Sequence, residues 1–139
     1  MVQLLRLNGI YSLAIKDNSL VKIKEDRSFE VVKKFDNKDR KFLNYTYYNE
    51  MAYVMFENTK NNKNQVYSIN LLNSSYPEKL VFETDKNYGG KDFEVIDNKI
   101  YYTTLNRNIV EHDIENNSTE LLLQDSFKVS IGSLEVNRD

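Results

Sequence analysis

The stretch NKIYYTTLNRNIVEHDIENNSTELLL, residues 98–123, decides the fold because it holds three short apolar runs in succession. The runs KIYYTTL, NIVEHDI and TELLL are rich in Ile, Tyr, Thr, Val and Leu, and clusters of Asn, Arg and Glu separate them. Short β-branched and aromatic runs bounded by turn residues are typical of strands joined in hairpins. Helical periodicity is nearly absent from the chain, so the sequence predicts an all-β protein.

The same pattern of apolar runs occurs twice earlier in the chain. With Asn8, Asn49 and Asn98 placed in register, the runs GIYSLAI, EMAYVMF and KIYYTTL follow at spacings of 41 and 49 residues. A further apolar run precedes each Asn, namely VQLLRL, KFLNYTYY and DFEVI, which makes four strands to a unit. Four-stranded units repeated at such spacings are the pattern of β-propeller blades.

We therefore expect one domain over residues 1–139, built as a propeller-like array of about three four-stranded antiparallel blades. The repeats fall at approximately 8–48, 49–97 and 98–136. A β-sandwich or open barrel built from similar hairpins is the alternative.

The third repeat also resembles a known group of sequences. NKIYYTT followed by NIVEHDIENNSTELLL is similar to the Tyr-rich β-propeller repeats of bacterial sensor and surface proteins. Those repeats share an IYY strand, a strand that ends in His-Asp or Asn with an aliphatic residue, and a polar turn. The first repeat departs most, because Lys24 stands where the others have Asn70 and Asp113. The resemblance covers nearly the whole chain; it implies a fold unit and no catalytic residue.

The last residues of the sequence are similar to the residues at the beginning of a repeat. SLEVNRD parallels DFEVIDN, and Glu135 lies 41 residues after Glu94. Because propellers typically have about four to eight blades, we expect either a segment of a larger propeller or a subunit completed by head-to-tail association of copies. A small independent domain built from a curved β array is the third possibility. The excess of Lys and Arg at 22–41 and the acids at 111–125 would let opposite ends of two copies attract.

Composition and charge restrict the class of protein. The formal net charge is −2 and the isoelectric point is about 5.5, so no overall positive field draws the chain to nucleic acid or to an anionic membrane. The absence of Cys removes disulfides and thiolate metal sites. No run is apolar enough over its length to be a secretory leader or a membrane span. As given, the sequence predicts a soluble cytoplasmic protein, or an extracellular one if it is an excised piece.

No catalytic, cofactor or metal site is expected. The single histidine, His112, aligns with Ile23 and Ile69, so we interpret it as a core or half-buried residue with one hydrogen-bond partner. The carboxylates at 36–39 and 83–87 lack the alternating ligands and the Gly turn of a calcium loop.

A contact surface is expected at one end of the strands. Successive antiparallel strands reverse direction, so four loops should share one face: 36–41, 57–64, 83–92 and 105–108. Loops on a rigid scaffold commonly carry recognition, and Tyr and Arg are frequent anchors there. The residues nominated for binding are Arg40, Lys60, Tyr88 and Arg107. We therefore predict a non-enzymatic binding or scaffolding module for a protein or glycan partner. The alternative is a piece of a propeller enzyme whose active site needs further blades.

Overall fold

A computed structural model describes residues 5–7, 11–85, 92–104 and 107–123 of the chain. These residues hold β-strands and no helix, and the strands form where Val, Ile, Tyr, Phe and Leu are concentrated. The strands are β1 Leu5–Leu7, β2 Tyr11–Lys16, β3 Ser19–Lys24, β4 Phe29–Lys34, β5 Arg40–Tyr48, β6 Met51–Asn58, β7 Lys63–Asn70, β8 Glu78–Asp85, β9 Phe93–Ile96, β10 Lys99–Thr103, β11 Ile109–Asp113 and β12 Ser118–Leu123.

The described strands form three antiparallel sheets of four strands, each a meander of strands that are consecutive in sequence. We call them the first blade (β1 to β4), the middle blade (β5 to β8) and the third blade (β9 to β12). The first strands of the middle and third blades meet, since β5 contacts β9 and the Thr46 hydroxyl donates to Glu94 Oε2 at 3.3 Å. The prediction of an all-β, propeller-like array is confirmed, and the sandwich is not the arrangement found.

Two apolar clusters join the blades. The first cluster lies between the first and middle blades and includes Leu13, Leu20, Val54 and Phe56, which are fully buried. Phe56 packs edge-to-face on Phe35 with ring centroids 5.2 Å apart. The second cluster lies between the middle and third blades; its fully buried members are Met55, Val66, Val95 and Ile100. The middle blade therefore buries both of its faces.

Two-residue turns set the register of the blades. The turns at 49–50 and 97–98 have positive φ at both positions, the geometry of a type I′ hairpin turn. The residues that flank each turn pair directly across it, so Glu50 is the structural counterpart of Asn98. The sequence alignment of Asn49 with Asn98 is therefore one residue out in the strands that follow. Asn stands at the first position of one turn and at the second position of the other, and the pattern alone does not say which position it takes.

The hydrogen-bonded units begin one strand earlier than the predicted repeats of 8–48, 49–97 and 98–136. Strand β5 falls in the first of those repeats, but it pairs with β6, just as β9 pairs with β10. The tight turns explain the difference, because a two-residue turn joins the strands on either side of it into one hairpin.

A β-bulge recurs between the last two strands of each described blade. In each case one residue of the outer strand is left without a Cα partner in the ladder: Val32, Val81 and Leu122. We call the side of a blade that points toward the next blade in sequence its following face, and the other side its preceding face. Val32 packs against the first cluster and Val81 against the second. The bulge thus directs an apolar side chain onto the following face.

Candidate binding groove between the middle and third blades

The two junctions between blades differ at their outer ends because their connecting loops differ in length. At the first junction, residues 71–77 join β7 to β8, and Tyr76 of this loop packs against the first cluster. Lys22 Nζ donates to the Tyr76 hydroxyl at 3.3 Å, which ties the loop to the first blade. At the second junction, residues 114–117 join β11 to β12, and this shorter turn, IENN, contains no aromatic residue.

A groove of about 470 Å³ lies at the outer end of the second junction. It is lined by the β8 residues 79–83 together with Ile114 and Asn117 from the turn after β11. The first junction is filled by the longer loop at the corresponding place. The short turn of the third blade therefore leaves one side of β8 accessible.

The groove has an apolar middle and polar ends. Val81 packs against the second cluster, and Leu80 beside it is 45% exposed. Lys79 and Glu83 are exposed on either side. Strand β8 is also the last strand of its sheet, so its outer edge has no strand partner among the described residues. A free strand edge beside an apolar floor can accept an extended peptide by backbone hydrogen bonding.

His112 lies behind the floor of the groove. Its ring packs against that of Phe82 with centroids 4.4 Å apart, and His112 Nδ1 is 2.9 Å from Thr119 Oγ1. His112 Nε2 is buried with no hydrogen-bond partner among the described residues. Burial lowers the pKa of His112, and the nearby Asp113 opposes this effect. The interpretation of His112 as a buried residue with one partner agrees with the structure, and the ring lacks the access to water that a general base needs.

The structure does not place Arg40 on a contact surface. Its side chain is 12% exposed and lies in the first junction, where it forms two hydrogen bonds with Glu78 at 3.1 and 3.3 Å. Its Nε also donates to the Asp36 carbonyl, and its Cζ lies 4.2 Å from the centroid of the Phe56 ring. The nomination of Arg40 for binding is thus corrected. The residue begins β5, and its side chain extends between the blades, where the rings and the carboxylate hold it.

Of the other nominated residues, the structure describes Lys60 and Arg107. The Thr59 amide donates to the Asp39 carbonyl at 2.9 Å, which brings the loops at 36–39 and 59–62 together. Lys60 and Arg107 are both exposed. Tyr88 lies outside the described residues.

Sequence reasoning missed the groove. Its residues do not form a motif, because Val81 and Phe82 fit an ordinary apolar strand. The difference in length between the loops at 71–77 and 114–117 was the available signal. A loop length indicates a groove only once the neighbouring blade is known to pack beside it.

The described residues contain no group of three or more His, Asp or Glu side chains that could hold a metal ion. In the same part of the chain, no helix is long and apolar enough to span a membrane.

Comparison with known proteins identifies the fold. No protein-family model and no curated protein matches the sequence. Among solved structures, the chain is similar to the N-terminal domain of Nup159, a β-propeller, with a TM-score of 0.54 and 16% identity over 91% of this chain and 30% of that one. It is also similar to a chain in the complex of S. cerevisiae Dbp5 bound to Nup159 and Gle1, with a TM-score of 0.50 and 15% identity over 83% of this chain and 28% of that one.

The chain spans less than a third of the length of both solved chains. At this identity the likeness is one of fold. The resemblance to Tyr-rich bacterial repeats likewise extends to the propeller fold, and no sequence match supports it beyond that.

Proposed function

We propose that this chain is a non-enzymatic, protein-binding module of β-propeller type and that the groove beside β8 is its recognition site. The observation that carries the proposal is the contrast between the two junctions. Residues 71–77 fill the outer end of the first junction, whereas residues 114–117 leave the side of β8 accessible at the second.

The chemistry of the groove favours an extended peptide segment. The outer edge of β8 offers backbone donors and acceptors, and peptide strands commonly bind by adding to such an edge. Val81 supplies apolar contact at the middle of the groove. Lys79 supplies an exposed positive charge at one end of the groove, which favours an acidic residue in the bound segment.

The similar solved structures support a protein partner over a glycan. Nup159, whose N-terminal domain has the same type of fold, occurs in a complex with Dbp5 and Gle1. This similarity supports a protein as the class of partner and does not identify that protein. The exposed loop residues Lys60 and Arg107, with Tyr88, remain a predicted second contact surface, which would suit a partner wider than one peptide.

The test uses short random peptides displayed on phage and selected against the folded chain. A selected peptide is then labelled, and its affinity is measured by fluorescence anisotropy. Lys79→Glu and Val81→Ala should each weaken binding about tenfold, which corresponds to about 1.4 kcal/mol. The first reverses a charge at the groove, and the second removes apolar contact at its middle.

Leu72→Lys is the matched control, since Leu72 is 75% exposed in the loop 71–77 and does not line the groove. Binding unchanged in both groove variants would contradict the proposal. Loss of binding in Lys60→Ala and Arg107→Ala instead would move the recognition site to the loop face.

A further inference from the structure

Among the described residues, no further blade follows the third one, so its bulged residue differs from its equivalents. Val32 packs against the first cluster and Val81 against the second. Leu122 is the corresponding residue of the third blade, and it is 48% exposed. The repeat therefore directs an apolar side chain at a blade position beyond the third blade. Leu122 marks the following face of the third blade as an interface.

The same face is acidic. Glu111 and Glu120 stand directly opposite each other on β11 and β12, and like charges in such a pair are destabilising. Lys99 Nζ lies 3.7 Å from Glu111 and offsets only part of this repulsion. Asp113 projects from the same face, as its pairing with Lys99 shows. A partner surface that brings cations here would relieve the repulsion.

The preceding face of the first blade has the complementary character. Lys16 and Lys34 are exposed on it, and none of the described strand residues of this face is an acid. Phe29 is 54% exposed there and lies beneath Lys16, whose Nζ is 4.0 Å from the ring centroid. Ala14, Ser19 and Val21 of this face are already buried in the single chain. The accessible part, around Phe29, Lys16 and Lys34, combines apolar contact area with positive charge.

We propose that the following face of the third blade binds the preceding face of the first blade in a second copy of this chain. The contact would repeat the relation that already joins the first blade to the middle one and the middle blade to the third. It places the Lys16 and Lys34 face against the face of Glu111 and Glu120, with Leu122 and Phe29 in the apolar part.

Ring closure argues for two copies. A head-to-tail contact gives a closed ring when its rotation returns to the start. Two copies of the described chain supply six blades, within the range of about four to eight found in propellers. Three copies would supply nine blades, which exceeds that range. For the described blades, the proposed assembly is a dimer with two identical interfaces, at a surface separate from the groove beside β8.

Sedimentation equilibrium of the whole chain at high micromolar concentration and low salt tests the assembly. The expected mass is twice the 16.4 kDa of one chain. Added salt should shift the equilibrium toward monomer, because exposed charges are screened over about 10 Å at 0.1 M. A monomer under the low-salt condition overturns the proposal.

Two neighbouring leucines provide a matched pair of variants. Leu122→Glu should weaken dimerisation about tenfold or more, since it adds a further acid to the acidic face and removes an apolar contact. Leu121→Glu should not, because Leu121 is 52% exposed but pairs with Val110 on the preceding face. Equal effects of the two changes would contradict the assignment of the interface. Both side chains are half exposed, so both variants should fold.

Mixing two charge-reversal variants tests which faces meet. Lys34→Glu and Glu120→Lys should each dissociate the dimer when studied alone, because both of its interfaces then carry like charges. An equimolar mixture should restore it. In the mixed dimer, one interface brings the two substituted positions together with their charges exchanged, and the other interface keeps both native residues. Failure of the mixture to associate more strongly than either variant would exclude this head-to-tail contact.

Discussion

Arg40 lies at the centre of the first junction, where one guanidinium meets both a carboxylate and aromatic rings. It pairs with Glu78 through two hydrogen bonds and stacks over Phe56. Lys33 Nζ also lies 3.8 Å from Glu78. A planar guanidinium can satisfy the carboxylate and the ring faces at once, which a lysine ammonium does not. Arg40 therefore stabilises the packing of two blades.

Replacing Arg40 by Ala should lower the free energy of unfolding by about 2–4 kcal/mol, because it leaves Glu78 mostly buried without its main partner. The measurement is urea denaturation followed by circular dichroism. Lys24→Ala is the control, since the Lys24–Glu30 pair is more than half exposed on both sides. Its loss should cost less than about 0.5 kcal/mol. Similar effects of the two changes would show that the Arg40 pair is not a structural contact.

His112 should make stability depend on pH. Because burial lowers the pKa of His112 in the folded chain, the unfolded chain binds more protons as the pH falls below the ordinary value of 6.5. The free energy of unfolding should therefore decrease from about pH 7 to pH 5, a range in which His is the side chain that normally titrates. Denaturation midpoints measured across this range check the prediction.

His112→Ile is the matched variant for this test, because Ile69 holds the corresponding position of the middle blade. Stability of this variant should vary much less over the same pH range. A wild-type profile as flat as that of the variant would show that His112 is not the group responsible.

At the scale of elements, strand identity was accessible from sequence and strand register was not. The apolar runs after Asn49 and Asn98 marked β6 and β10 correctly because strand propensity and turn residues agree there. The face that each residue occupies depends on which turn position Asn takes, and Asn is first in one turn and second in the other. A shift of one residue reverses every face. The error at Arg40 has a related cause, since nothing local indicates that its side chain enters a junction between blades. Local pattern determines the elements, whereas the groove and the junctions depend on contacts between blades.

The loop at 71–77 should contribute stability through one side chain. Tyr76 packs on the first cluster and accepts a hydrogen bond from Lys22. Tyr76→Ala should cost about 1–2 kcal/mol in the free energy of unfolding, from the apolar area and the hydrogen bond that are lost. Leu72→Ala in the same loop should cost less than about 0.5 kcal/mol, because Leu72 is 75% exposed. If urea denaturation ranks the two variants in the opposite order, the loop does not seal the first junction.

At the scale of the whole molecule, stability should be greatest in the middle blade. The two apolar clusters join each blade to its neighbour in sequence, so the free energy of opening is governed by the two junctions. In the middle blade, residues 52–56 of β6 are all buried, and β6 pairs with strands on both sides. By contrast, residues 118–122 of β12 are exposed, and β12 pairs only with β11.

Hydrogen exchange of the backbone amides should therefore be slowest in β6 and β7 and much faster in β12, because outer strands open without breaking either apolar cluster. Exchange measured by mass spectrometry at low micromolar concentration and high salt reports the isolated chain.

Raising the concentration at low salt should then slow exchange in β10 and β11, since the proposed dimer covers the following face of the third blade. Amides of β6 should be unaffected, because both faces of the middle blade are already covered. Equal protection of β6 and β12 at low concentration and high salt would contradict the prediction that stability differs between blades. A uniform change in exchange across all strands at high concentration and low salt would contradict a contact confined to the outer faces.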